Sequence, residues 1–250
     1  MALCLAESLI KSRGFDAIDQ MHRYVKWLDE GYWSSNGRCF DIGNATHVAL
    51  NKFKRSGEPF CGSKHPETAG NGAIMRLAPV PMFFYPDRDS VIKMSGESAR
   101  TTHGASECIE ASRLFGAMLF MALDGASKEA ILLEHGMTGF VSEGIQSISN
   151  GDYRNKPESD IHGTGYVVAS LEAALWCFYH TNSFKEAILK ATNLGQDADT
   201  TSAICGQIAG AFYGESAIPE NWLSKLARRD EICSLADQLG QNREISNVYI

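Results

Sequence analysis

Asn193-Leu-Gly-Gln-Asp197-Ala-Asp199-Thr200-Thr201-Ser-Ala-Ile-Cys-Gly206-Gln-Ile-Ala-Gly210-Ala-Phe-Tyr-Gly214 reads as an acidic turn that runs into a helix. Ser202, Gly206, Gly210 and Gly214 recur every four residues. An interior glycine costs a helix about 1 kcal/mol relative to alanine, so a line of them needs a compensating reason. A stripe of small residues lets a neighbouring helix come close, which predicts a central helix that fixes whatever stands at its start. What stands there is Asp197, Asp199 and Thr200. Two readings apply: oxygen ligands for a hard cation such as Mg²⁺, or plain helix capping, since Asp and Thr favour N-cap positions at the positive end of the dipole.

Working outward, apolar residues spaced three and four apart predict helices over 16–30, 43–55, 104–123, 127–136, 165–180, 184–193 and 200–213, with another over 232–240. Residues 1–10 are amphipathic from the first position, with Leu5 and Leu9 on one face and Leu3 and Ile10 beside it. No run of five or more residues alternates as a strand, although Val80 to Tyr85 reads as extended around Pro79 and Pro81. The expected fold is all-α, a compact multi-helix domain over residues 1–250. Loops rich in Gly, Ser, Asn, Asp and Pro are expected at 31–42, 56–72, 86–90 and 149–164. Gly57 to Gly72 is long for a structureless connection, which suggests function or an insertion over a site.

Bulk properties exclude several classes. A net charge of −7 lacks the basic face that displaces counterions from a nucleic-acid duplex. The short basic clusters at Lys52, Lys54, Arg55 and Arg228, Arg229 read as solvated helix faces. Seven scattered cysteines without a CxxC spacing indicate neither a disulfide framework nor a zinc site, and a reducing cytoplasm is the simplest compartment. No apolar run reaches the roughly 18 residues a membrane span needs, and the N-terminus lacks a secretory signal.

Three further segments carry candidate chemistry. Gly70-Asn71-Gly72-Ala73-Ile-Met-Arg76-Leu-Ala-Pro79 has glycines ahead of a helix start, a source of free backbone N–H groups for phosphate or simply a turn. In Ser98-Ala-Arg-Thr101-Thr102-His103-Gly104, His103 either meets a ligand or caps the following helix together with Thr102. In Ile161-His-Gly-Thr-Gly165-Tyr166-Val167, Tyr166 either packs on a ribose or base or anchors its helix through a satisfied hydroxyl.

Taken in this order, Gly70–Pro79, Thr102-His103, Gly165-Tyr-Val and Gly195-Gln-Asp-Ala-Asp-Thr-Thr201 resemble the ADP-ribosylglycohydrolase family, which includes the dinitrogenase-reductase-activating glycohydrolase. The resemblance spans about residues 1 to 225. It implies an all-α fold and hydrolysis of the glycosidic bond between ADP-ribose and a protein side chain or related acceptor, with a pair of Mg²⁺ or Mn²⁺ ions. It further implies Asp197, Asp199 and Thr200 as metal ligands, Asn71, Gly72 and Ala73 lining the ADP-ribose site, and His103 and Tyr166 facing it. No catalytic residue is assigned. Members of the family carry a Thr-Asp-Asp-Thr metal motif directly before a helix that reads like Met1-Ala-Leu-Cys-Leu-Ala, and the chain begins at that helix. The expectation is therefore an N-terminally truncated domain with weak metal binding and little turnover. The alternative is a non-catalytic relative that binds ADP-ribose or serves a structural role. Gln196 also stands where the family has glycine.

Overall fold

The computed structural model describes the backbone over residues 1–246 and side chains over 1–241. Thirteen α-helices follow one another in it: α1 (Ala2–Ser12), α2 (Ala17–Glu30), α3 (Asn44–Ser56), α4 (Pro79–Phe84), α5 (Arg88–Arg100), α6 (Ser106–Leu123), α7 (Lys128–Leu133), α8 (Glu143–Asn150), α9 (Val167–Tyr179), α10 (Phe184–Asn193), α11 (Ala198–Tyr213), α12 (Glu220–Leu223) and α13 (Arg229–Ser246). The described residues form no strand, only two isolated bridges, Ser63 with His103 and Gly70 with Tyr166. The protein is all-α. No described helix is long and apolar enough to cross a membrane.

Local chemistry explains several boundaries. Asp16 caps α2 by accepting from the Ile18 and Asp19 N–H groups at 2.9 and 3.0 Å, worth about 1 kcal/mol, and Gly31 ends the helix with a left-handed φ of 68°. Ser127, Ser142 and Ser183 cap α7, α8 and α10 in the same way. The predicted segment 232–240 lies inside α13.

Two expectations about local structure are corrected. Val80 to Tyr85 is helical: Pro79 and Pro81 stand in the first turn of α4, where an N–H has no intrahelical partner to lose. The loop expected at 86–90 is cut short by α5, which Asp87 caps by accepting from the Ser90 N–H. Nothing in the apolar pattern announced α5, because the residues it buries are Ser95, Gly96, Ser98 and Ala99 together with Val91. Those small side chains let it lie against α6, where Gly116 backs directly onto Ser95.

One continuous apolar cluster runs from Cys4 to Leu239. The long helices α6 and α9 are its axis, with α6 burying Leu114, Phe115, Met118 and Leu119 and α9 burying Leu171, Leu175 and Phe178. α11 packs against α6, α9 and α10, so the acidic turn at its start is held by the core. The glycine stripe is not what buries it. Its inner face carries Thr201, Ile204, Cys205 and Ile208. A methyl at Gly206 would meet Ile188 Cδ1 at 3.5 Å and one at Gly210 would meet Phe184 Cε2 at 3.9 Å, which are ordinary contacts. All seven cysteines are free thiols. Burial pushes the Cys4 thiol up to about 11 and Cys108 and Cys177 up to about 12, leaving them unreactive.

Candidate functional site

The turn Gly70–Ala73 is tied to the start of α9. The Asn71 N–H donates to Gly165 O at 3.1 Å and the Val167 N–H donates to Ala69 O at 2.9 Å. The Asn71 side chain, almost fully buried, then reaches three partners. Its amide donates to Asp197 Oδ2 at 2.7 Å, to Ser170 Oγ at 3.2 Å and to Thr164 O at 3.3 Å. One amide thus joins the glycine turn, α9 and the acidic turn before α11.

Asp197 occupies the N-cap position of α11, yet its side chain makes no cap hydrogen bond. Its backbone N–H donates to Gly163 O at 2.8 Å, and its carboxylate is turned to Asn71. Gly195 and Gln196 both take left-handed φ, 75° and 57°, to swing the chain into this position. That is a conformation glycine adopts freely and glutamine only at a cost. Asp199 is exposed, and Thr200 is buried, only 6% exposed.

Behind the turn lies a buried clamp. The Arg76 guanidinium donates to Gly72 O at 3.0 Å and to Thr102 Oγ1 at 2.7 Å, and it lies over the Tyr24 ring. Thr102 Oγ1 is also 2.8 Å from His103 Nδ1. His103 is 3% exposed, and burial together with the Arg76 charge lowers its pKa to about 3, so it is neutral. Neither Thr102 nor His103 caps α6. That helix begins at Ser106 with Ala105 in the cap position, so the capping reading falls. Gly72 is required instead: a methyl there would stand 2.8 Å from His103 Cε1.

These groups open into a cavity of about 860 Å³. Asn71, Gly72, His103, Asp197, Asp199 and Thr200 all line it. Ala73 is buried just beneath the lining. Tyr166 stands outside it, with its hydroxyl donating to the Glu107 carboxylate at 2.8 Å, where burial and that carboxylate push the phenol up to about 12. The long segment 57–72 does not close over the cavity. Its middle hydrogen-bonds to the Arg100 and Thr101 carbonyls through the Gly62 and Cys61 N–H groups, and only its last residues reach the lining.

Sequence reasoning missed a further part of the lining, made by the α2–α3 connection with Trp33, Phe40 and Asp41 and by Thr46 on α3. A connection of that length between two well-marked helices was the available signal. Among the described residues no group of three or more His, Cys, Asp or Glu side chains forms a metal-holding cluster.

A family model described as ADP-ribosylglycohydrolase matches residues 1–247. The chain belongs to the ADP-ribosylglycohydrolase family. Within it, the chain is 42% identical over 239 residues to ADP-ribosylarginine hydrolase Tri1 of Serratia proteamaculans (strain 568), covering 96% of this chain and 65% of that protein. It is 27% identical over 232 residues to the ADP-ribosyl-[dinitrogen reductase] glycohydrolase of Rhodospirillum rubrum, covering 92% and 73%. The chain therefore spans just under two thirds of the length of the Tri1 relative. A solved ADP-ribosylglycohydrolase-related protein complex superposes with a TM-score of 0.83 at 40% identity, covering 96% of this chain and 79% of that one.

Proposed function

We propose that the cavity binds ADP-ribose and hydrolyses its glycosidic bond to an acceptor side chain, the acceptor being the arginine named for the Tri1 relative. The observation that carries this is the hydrogen bond from Asn71 to Asp197 at 2.7 Å. It joins the turn suited to a nucleotide to the acid pair, in one cavity whose size suits a small ligand.

Each residue has a derived part. The Gly72 N–H has no acceptor among the described residues and stands at the cavity wall, available to a phosphate oxygen. Neutral His103 presents its Nε2 edge beside Gly70 and Gly72 and can donate or accept without adding charge. In the hydrolysis, water adds at the anomeric carbon as the bond to the acceptor nitrogen breaks and the acceptor leaves with a proton. Positive charge develops on the ribose ring meanwhile. Asp197 and Asp199 bring carboxylates to the same cavity, which would stabilise such charge, and Asn71 keeps Asp197 oriented.

The donor set also fits a hard divalent ion. Asp197, Asp199 and Thr200 offer two carboxylates and a hydroxyl to one cavity, the oxygen ligands that Mg²⁺ or Mn²⁺ takes, with water completing the shell. The fit is to one ion held by few protein ligands, which predicts weak binding. When bound, such an ion supplies Lewis acidity toward ribose oxygens and an acidified water.

The test is release of ADP-ribose from an arginine-linked ADP-ribosyl peptide, followed by chromatography with Mg²⁺ and with a chelator. Ion-dependent release supports the reading. A folded protein that releases nothing while binding ADP-ribose is a nucleotide-binding relative instead, and one that does neither refutes the proposal.

A further inference from the structure

Arg76 follows the glycine turn on the short 3₁₀ segment Ile74–Arg76, and it brings a positive charge to the cavity wall while only 3% exposed. A guanidinium does not shed its charge when buried, so it needs partners. Those it has are neutral. Its terminal nitrogens donate to Gly72 O, to Thr102 Oγ1 and, at 3.4 Å, to Thr101 Oγ1. The guanidinium lies over the Tyr24 ring, 4.8 Å from its centroid, and Nε finds no acceptor among the described residues.

Arg23, Arg100, Arg228 and Arg229 each pair with a carboxylate, and Arg76 pairs with none among the described residues. Asp41, Asp197 and Asp199 share its cavity without making an ion pair to it. The titratable groups that feel its charge are the Met1 amino group, Cys4, Tyr24 and His103. None is an anion at neutral pH: burial pushes up both the Cys4 thiol and the Tyr24 phenol, and His103 is neutral. The surrounding protein thus leaves a buried charge uncompensated at a wall that opens to a ligand.

The bond to Gly72 O carries that charge into the turn. It polarises the Gly72–Ala73 peptide, which strengthens the N–H at the other end of the same peptide as a donor. Neither the Gly72 nor the Ala73 N–H has an acceptor among the described residues. A phosphate against this turn meets free N–H groups in front and the guanidinium behind them.

We propose that Arg76 is the positioning residue for the ligand's diphosphate: it fixes the Gly72 peptide in the orientation that meets phosphate, and the phosphates supply the negative charge that its protein partners lack. This rests on the nucleotide reading above. Both terminal nitrogens are already engaged, so Arg76 acts through the turn and across the wall, not as a catalytic residue. Met1 also lines the cavity, and its amino group, whose pKa burial lowers, is the competing cation.

ADP, adenosine and ADP-ribose are titrated into the full chain with a chelator present, so that no divalent ion links phosphate to Asp197 or Asp199. Arg76→Gln should bind ADP about tenfold more weakly than the parent, the low end of the coupling between close charges, with adenosine unchanged. Arg76→Lys, which keeps the charge and loses the fork, should recover most of that loss. The parent acetylated at the Met1 amino group should keep its ADP affinity. Inorganic pyrophosphate alone should raise the melting temperature of the parent.

Equal weakening of ADP and adenosine, or a lysine variant no better than the glutamine variant, would reduce Arg76 to a structural role and overturn the proposal. A loss on acetylation as large as that in Arg76→Gln would give the anion to Met1 and overturn it too. The pyrophosphate shift needs no variant, so its absence overturns the proposal even where Arg76→Gln does not fold. Parent affinity for ADP-ribose and ADP in a folded Arg76→Gln would sink the role of Arg76 and leave the nucleotide reading standing. A parent that binds neither nucleotide would sink that reading first, and the positioning role with it.

Discussion

Gly72→Ala tests the packing that shapes the wall proposed for the nucleotide. The new methyl would stand 2.8 Å from His103 Cε1 and 3.0 Å from Nε2, so the ring or the turn has to give by about 0.6 Å to reach the shortest ordinary contact. The ring has little room to move, since it is 3% exposed and its Nδ1 is held at 2.8 Å by Thr102, itself gripped by Arg76. Overpacking of this kind costs about 1–3 kcal/mol. In a chain of this size each kcal/mol lowers the melting temperature by about 2–4 °C. Gly70→Ala is the matched control two residues away. Its methyl would meet the same ring at 3.5 and 3.6 Å, ordinary contact at a backbone that is not left-handed, and the expected change is within about 0.5 kcal/mol. Urea and thermal denaturation of both variants measure the difference, and ADP-ribose titration should show weaker binding for Gly72→Ala. Combining Gly72→Ala with His103→Ala should recover much of the clash. Equal losses at Gly70 and Gly72, or strictly additive losses in the double variant, would refute the reasoning.

Two more outcomes follow from backbone and charge. Gln196→Gly should stabilise the protein by about 0.5–1 kcal/mol, because relief of the left-handed φ of 57° exceeds the added freedom of the unfolded chain. An unchanged urea midpoint would contradict it. Folding keeps His103 neutral down to about pH 3, whereas the unfolded chain takes up its proton below about pH 6.5. The unfolded state therefore binds more protons in between, and stability is full above that upper value and declines as pH falls toward the lower one, by up to about 1.4 kcal/mol per pH unit. Denaturation between pH 7 and 4 should show His103→Gln with a flatter slope than the parent, and parallel slopes would count against it.

The sequence announced the helices whose buried side is made of large apolar residues, such as Leu114, Phe115 and Met118 in α6. It was silent about α5, which packs through serine, glycine and alanine and shows no apolar stripe. It misplaced α4, because proline discourages a helix everywhere except the first turn, and both prolines fall there. The glycine and acidic turns were legible as short motifs with unusual residue types, and the structure joins them through a single asparagine amide. Their partner wall was not, since Trp33, Phe40 and Asp41 belong to an irregular connection whose course depends on Glu7 and Arg228, far away in sequence. The capping role inferred for Thr102 failed because short-range rules assign a residue to its own helix, while tertiary contacts gave Thr102 to Arg76; the small residues Gly206 and Gly210 of α11 do face a neighbouring helix, α10.

Calorimetric titration of ADP-ribose, with Mg²⁺ and with a chelator, addresses the joined acid pair and glycine turn most directly. The parent should bind more tightly with the ion present, and Asp199→Ala should lose that dependence while remaining folded. Identical isotherms for parent and variant under both conditions would contradict the account.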